Sequence, residues 1–532
     1  MSKEKNQMPS SRKGTLVEPR PRLDNRRVRD LHAASLELLK DPGIECHNGR
    51  AADLYARGGG RVTKTGEDVW RVSLPAALVE KAAAAAPKRV VLGARDPRNR
   101  LVLDADIPRV YFGTGAETNI YLDTDMVEFR AENGEIPARR LPVHTRRRGS
   151  LERLCRAARL CDRLENVDFF IRNVNIQDED ITSDTKDVNM FRAALTHIGK
   201  HVQAGLVNID RLDDVLELAA MMAGGKPALE ENPILSFITC VIKSPLQMVE
   251  DTTEKLIAIC ERGIPVVISS SPQGGTTAPI REEGIVALIN AEILAGITLT
   301  QIVREGTPVL YGAVPVRARM DTLHDLYGAP EFIHYNQDCV QMARRYGIPC
   351  YSTAGAGDAR VPGLQATLEK VFSHLEIAAS GAQYIHYAFG LLDKTNVFSP
   401  LQAVLDDAQV GTVRRILTPP AFRDEDTRAA VDEVRRVFSS STRLFTRGIR
   451  RAMRRGLVSP PYPFESFEDS DRVLEKAQQR VEEIMSDPGT SIPMELTDRI
   501  HAKIPGLLAP DRFKINSSIS KEEVHAGHSE KN

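Results

Sequence analysis

Apolar and polar positions along this chain fall into eight short runs rich in β-branched and aromatic residues, separated by longer segments of helical period. The runs lie at residues 109–115 (RVYFGTG), 168–177 (DFFIRNVNIQ), 201–208 (HVQAGLVN), 234–243 (ILSFITCVIK), 265–271 (PVVISSS), 308–316 (PVLYGAVPV), 349–356 (PCYSTAGA) and 383–391 (QYIHYAFGL). Between them apolar residues recur at i, i+3 and i+4, as in 151–164, 188–198, 212–222, 250–262, 332–345 and 364–380, and one more such segment, 401–417, follows the eighth run. Strict alternation of strand and helix predicts a parallel sheet with helical crossovers. Eight units is the number that closes such a sheet and leaves no edge exposed. The expected fold class is therefore α/β, a (β/α)8 TIM barrel over residues 104–420. The competing arrangement, an open doubly wound sheet, needs edge strands, and every run here has the composition of a buried one.

The flanks read differently. Residues 24–103 are an expected N-terminal capping region, with a helix over RRVRDLHAASLELLKDPG, a short helix near 75–86 and short strands, its apolar face set against the barrel's N-terminal end. Residues 1–23 read as a disordered lead-in. After the barrel, 421–509 reads as a helical extension with amphipathic segments at 424–455 and 469–486, and 510–532 as a polar, mobile tail.

Composition narrows the function. A chain of 532 residues with 42% apolar and 27% charged residues has ample length for a large core, and a net charge of -1 argues against nucleic acid as the main partner. No apolar run approaches the roughly 20 residues of a membrane span, and the polar start, MSKEKNQMPSSRKGTLVEPRPR, lacks the apolar centre of a secretory signal. Seven cysteines without a CxxC pair fit neither a disulfide scaffold nor a zinc cluster, so a reducing cytoplasm is the expected location. No GxGxxG follows the first strand, and Walker, HExxH and GxSxG patterns are missing, which weakens nicotinamide, nucleotide and serine-hydrolase readings.

Candidate chemistry sits where the runs end, since barrels of this kind react at the C-terminal ends of their strands. Gly274, Gly275, Thr276 and Thr277 follow the fifth run. They either let backbone approach a ligand, with hydroxyls for short hydrogen bonds, or make an ordinary turn with threonine capping the next helix. Asp358 closes the segment YSTAGAGD and either orients a ligand or caps a helix. His386 lies in the eighth run on one face with Tyr384, and is either a satisfied buried histidine or a site residue. Asn173, Asn175 and Gln177 alternate along the second run, so they share one face and either line a polar pocket or hold loops. The basic runs 139–148 and 443–455 are solvated faces or a surface for an acidic protein partner.

The segments LHAASLELLKDPGIECH, VYFGTGAE, GGTTAP, INAEILAGITLTQIVREGTPVLYG, YGAPE, MARRYGIPCYSTAGAGDA and ASGAQYIH resemble, in order, the trimethylamine methyltransferase family. The resemblance covers most of residues 31–417 and is densest between Pro265 and His386. It implies a barrel that moves a methyl group from a methylated amine to the cobalt of a corrinoid carried by a separate small protein docked over the mouth. The chain has only standard residues, so it resembles the members without pyrrolysine, some of which act on quaternary amines such as glycine betaine. A quaternary ammonium needs no protonation to leave as a neutral tertiary amine. The protein's part is then orientation and an aromatic pocket for the cation. On this reading His386 and Asp358 are the catalytic candidates, and Gly274, Gly275, Thr276, Thr277, Asn173, Asn175, Tyr384 and Phe389 bind substrate, with no resident metal and a homo-oligomeric assembly expected. Two other readings stay open: a barrel lyase with a Schiff-base lysine, for which Lys243 is the placed residue, and a non-catalytic binder of methylated amines.

Overall fold

The computed structural model of the chain describes residues 11–130, 139–420, 424–445, 472–487, 489 and 492–515. The first ten residues of the expected lead-in, the tail from 516 onward and residues 446–455 of the second basic run lie outside the described residues.

Each of the eight apolar runs contains a strand: β1 (Arg109–Phe112), β2 (Phe169–Ile171), β3 (His201–Ala204), β4 (Leu235–Thr239), β5 (Val266–Ser270), β6 (Val309–Ala313), β7 (Cys350–Thr353) and β8 (Tyr384–His386). The helices that alternate with them are α1 (Leu151–Arg163), α2 (Ser183–His197), α3 (Leu212–Ala223), α4 (Glu250–Glu261), α5 (Glu282–Val303), α6 (Pro330–Tyr346), α7 (Leu364–Ala379) and α8 (Pro400–Leu417). From β2 to β8 each strand pairs in parallel with the next, and β8 pairs in parallel with β1. A ninth strand, Thr15–Leu16, joins β1 antiparallel, giving a curled nine-stranded sheet that is parallel apart from this strap.

β1 and β2 meet only where β1 ends and β2 begins. Gly113 forms one parallel bridge with Phe169, and the Asp168 N–H donates to the Phe112 carbonyl at 2.7 Å. Glycine is required there, because a Cβ on Gly113 would lie 2.2 Å from the Phe169 ring. The lower half of β1 is left with an unpaired edge, and Thr15–Leu16 satisfies it. The expectation of a disordered lead-in therefore fails for residues 11–23. Val17 is buried, and Arg22 pairs with Glu282 at 2.6 Å and with Asp338.

Pleating divides the strand residues between two cores. Tyr111, Phe169, Ile171, Val267, Leu310, Tyr351 and Tyr384 face inward, while Phe112, Phe170, Ile268, Tyr311 and Ile385 face the helices. The hairpin Arg89–Leu92/Leu101–Asp104 pushes Val90, Leu92, Leu101 and Leu103 into the inner cluster and closes its lower end. This hairpin is the part of the N-terminal region that caps. The helices Asn25–Lys40 and Ala76–Ala85 instead clad α5 from outside. Ser35 donates to the Ala287 carbonyl at 2.9 Å, and Tyr55 donates to that of Ala295 at 2.9 Å.

That cladding corrects one sequence expectation. The 22-residue helix α5 contains an 18-residue stretch of mean hydropathy 1.7, long and apolar enough to cross a membrane, yet 94% of that stretch is buried inside the protein. It lies so close to the sheet that a Cβ on Gly296 would come within 2.4 Å of Ile268 Cγ2. The first basic run, read as a surface patch, is a strand: Arg139–Arg148 pairs with Ile120–Phe129 in a long antiparallel hairpin. In the C-terminal extension Val473–Ser486 packs on α8, α1 and this hairpin.

Candidate functional site

Above the inner apolar layer the lumen turns polar. His386 is buried, and its ring stacks on Tyr351 with centroids 4.1 Å apart. Nε2 lies 2.6 Å from Thr353 Oγ1, and Thr353 Oγ1 lies 3.3 Å from the Ala313 carbonyl. Thr353 has one proton for two acceptors. Given to Ala313, it leaves Nε2–H donating to Oγ1 and Nδ1 as a bare lone pair; given to Nε2, it makes Nδ1–H a donor. Nδ1 has no hydrogen-bond partner among the described residues. It faces Gly115, where a Cβ would lie 3.0 Å from Nδ1 and 2.5 Å from Tyr387 Cδ1, so the missing side chain opens the approach.

Asn173 (both amide atoms), Gln203 Oε1 and the Tyr384 hydroxyl are among the other buried polar groups with no partner among the described residues. Tyr384 stacks on Phe169 with ring centroids 3.5 Å apart and on Tyr351 at 5.8 Å. Buried polar atoms are nearly always paired, so the exceptions at His386 and Tyr384 mark a candidate ligand-facing wall. Cys240, just past the end of β4, is exposed to solvent, yet enclosed closely enough for desolvation to raise its thiol pKa, with Ser269 beside it.

The wall carries no formal charge. Burial pushes the His386 pKa well below the ordinary imidazole value, so the ring is neutral. Burial raises Tyr351 and Tyr384 well above 10, so both keep their protons. Tyr387, held at φ 68°, tilts against His386 with centroids 3.8 Å apart and is half-buried at the lip.

The structure brings together two of the sequence candidates, His386 and Tyr384, both stacked on Tyr351, while Asn173 is buried with both amide atoms unpartnered among the described residues. The others fall elsewhere. Strand β2 ends at Ile171, after which the chain follows the loop at Thr118, so the alternation read as far as Gln177 does not persist. Asn175 donates to Asn119 at 2.8 Å and accepts from Lys186, and Gln177 donates to the Asn119 carbonyl at 2.7 Å. Both hold loops. The Gly274–Thr277 turn is satisfied within itself: Thr277 Oγ1 accepts from the Gln273 N–H at 2.9 Å, and Thr276 and Thr277 are exposed on the rim. Gly275 is there for its backbone, at φ 100°.

Asp358 neither caps α7 nor faces the lumen. Its carboxylate accepts from the N–H groups of Tyr327 at 3.1 Å and Gly328 at 2.8 Å, fixing the loop that enters α6, and Tyr327 in turn packs edge-on to Tyr387. Asp358 is a positioning residue. Phe389 is fully buried in the outer core. Lys243 is exposed on the two-residue strand Ile242–Lys243, outside the lumen, which removes the feature that motivated a Schiff-base reading.

Thr353, Gln203 and Gly115 were not singled out from sequence, whereas Tyr351 was among the strand-end aromatics expected to form the cation pocket. The signal for Thr353 was the same period-two spacing used for Tyr384 and His386, and Gly115 stands two places after Gly113 in FGTGAE.

A family model described as trimethylamine methyltransferase (MTTB) matches residues 3–455. The chain is 29% identical over 411 residues to the trimethylamine methyltransferase MttB of Desulfitobacterium hafniense, covering 76% of each protein. It is 26% identical over 488 residues to a glycine betaine methyltransferase from another strain of that species, covering 91% of this chain and 95% of the relative. With the trimethylamine methyltransferase MttB of Methanosarcina barkeri it shares 28% identity over 415 residues, 77% of this chain and 78% of the relative.

Proposed function

This chain belongs to the trimethylamine methyltransferase family, and on that premise we propose that it moves a methyl group from a betaine-like quaternary or tertiary methylamine to a corrinoid held by a separate protein. The observation that carries the reading is the uncharged wall of His386, Tyr351, Tyr384 and Tyr387, in which His386 Nδ1 and the Tyr384 hydroxyl have no hydrogen-bond partner among the described residues.

The corrinoid's cobalt, in its Co(I) state, supplies the nucleophile that takes the methyl group. The rest is work for the chain. A neutral imidazole beside Tyr351 and Tyr387 presents aromatic faces without repelling a cationic nitrogen, and the tyrosine hydroxyls keep their protons through neutral pH. Stacking already covers one face each of Phe169, Tyr384, Tyr351 and His386, which leaves Tyr387 at the lip as the ring best placed for the ammonium. The Asn173 amide and the Tyr384 hydroxyl are donors without acceptors, and a substrate carboxylate provides acceptors. Trimethylammonium has none, so the wall favours a betaine. We further infer that the eight strands close as a (β/α)8 barrel. The Gly113–Phe169 bridge and the hydrogen bonds between Phe112 and Asp168 support that closure.

The test is a methyl-transfer assay with the full chain, a reduced corrinoid protein and free cob(I)alamin as separate acceptors, against glycine betaine, longer betaines and trimethylamine. Methylcorrinoid formation with a betaine supports the proposal. Turnover of trimethylamine alone overturns the substrate preference, and silence across the panel with both acceptors overturns the activity.

A further inference from the structure

A cavity lies at the end of the sheet opposite the site. About 470 Å3 in volume, it sits between the strap at residues 11–13, the hairpin Arg89–Leu92/Leu101–Asp104 and the start of β1. Five cations line it, Arg12, Lys13, Arg89, Arg100 and Arg109, against one carboxylate, Asp104. Arg12 is engaged elsewhere, paired with Asp168 and donating to Asn99 at 3.1 Å. Arg109 donates to the Lys13 carbonyl, which draws its guanidinium against the strap. Arg100 is different. Its Nε is buried and has no hydrogen-bond partner among the described residues.

The other wall is apolar, made by Val102, Ile107 and Tyr111, and Ile107 is 42% exposed. The cavity is far larger than one small oxyanion, and falls in the range of roughly 300–1,000 Å3 in which clefts hold small organic ligands. Guanidinium forks match phosphate oxygens in geometry as well as charge. We propose that this cavity binds a small organic phosphate, its phosphate on Arg100, Lys13 and Arg109 and its organic part on Val102, Ile107 and Tyr111. The inference does not depend on the methyl-transfer reading, because no residue of the His386 wall lines this cavity.

Calorimetric titration of the full chain with ADP, phenyl phosphate and inorganic phosphate tests it. Saturable one-site binding of ADP or phenyl phosphate is expected, at least about tenfold tighter than inorganic phosphate and weakening as salt is raised. Arg100→Gln should weaken it by about tenfold or more. Lys13→Gln, at an exposed position whose loss leaves the fold alone, should weaken it in the same direction. The proposal is overturned if neither organic phosphate binds, if inorganic phosphate binds as tightly, or if both variants bind like the parent chain.

Discussion

The hydroxyl of Thr353 stands 2.6 Å from Nε2 of His386, and the buried imidazole makes no other hydrogen bond to the described residues. One β-strand hydroxyl therefore decides which nitrogen of its neighbour's ring bears the proton, and whether Nδ1 meets the substrate as donor or acceptor. Replacing Thr353 with Val leaves Nε2 buried and unpaired. The expected result is a loss of stability of about 1–3 kcal/mol and a fall in kcat/KM of roughly 10- to 100-fold, both largely restored in Thr353→Ser. Chemical denaturation and steady-state kinetics on the two variants decide it; a Val variant with parental kcat/KM removes Thr353 from the mechanism.

His386→Ala should abolish most methyl transfer, by about 100-fold or more, while the protein stays folded. Because burial holds the ring neutral, activity of the parent chain should show no transition attributable to His386 between about pH 6 and 8. A pH–rate profile in which the Ala variant loses a step near neutrality contradicts this assignment.

Gly115→Ala places a methyl group 3.0 Å from His386 Nδ1 and 2.5 Å from the Tyr387 ring. The approach to the wall narrows, so KM should rise by about tenfold or more with a smaller change in melting temperature. Unchanged KM means that substrate does not enter past this residue.

Tyr384→Phe deletes a hydroxyl that has no hydrogen-bond partner among the described residues. Stability should hold or rise slightly, since nothing is left unpaired. Turnover of a betaine should fall while turnover of trimethylamine, which as trimethylammonium offers no acceptor, stays as it was. Equal effects on both substrates would argue that the hydroxyl does not meet a carboxylate.

Acid should weaken the fold through His201, whose ring nitrogens lie 2.7 Å from the Gly93 carbonyl and 2.7 Å from Ser236 Oγ. Burial lowers its pKa to about 4, against about 6.5 in an unfolded chain. The unfolded chain thus takes up the proton first as pH falls. The associated stability is fully present above about pH 6.5 and is lost toward pH 4, at about 1.4 kcal/mol per pH unit. His201→Gln should have a shallower dependence of urea midpoint on pH over that window; an identical slope assigns the acid sensitivity to other groups.

Asp358 separates a positioning role from a catalytic one. Asp358→Ala leaves the Tyr327 and Gly328 N–H groups unpaired and loosens the loop behind Tyr387. A loss of about 1–3 kcal/mol of stability and a moderate rise in KM are expected, well short of the effect of His386→Ala. Loss of activity equal to that of the histidine variant would put Asp358 in the reaction itself.

The sequence by itself determined the order and kind of the elements. Each βα unit carries its own period, two for a strand and 3.6 for a helix, and those local patterns survive folding because the same side chains must face the same cores. The face shared by Tyr384 and His386 was legible for that reason. What tertiary structure decided was everything that depends on where regular pairing stops. Asn175 and Gln177 left the lumen because β2 ends at Ile171, and Asp358 turned to a neighbouring loop whose N–H groups no sequence pattern announces. The strap at Thr15–Leu16 formed because β2 meets only the end of β1, leaving an edge to be paired. The apolar length of α5 reads equally as a membrane span or a core helix until its cladding of N-terminal helices is known. Alternation is a property of the chain; an unpaired edge or an orphaned hydroxyl exists only relative to its neighbours in space.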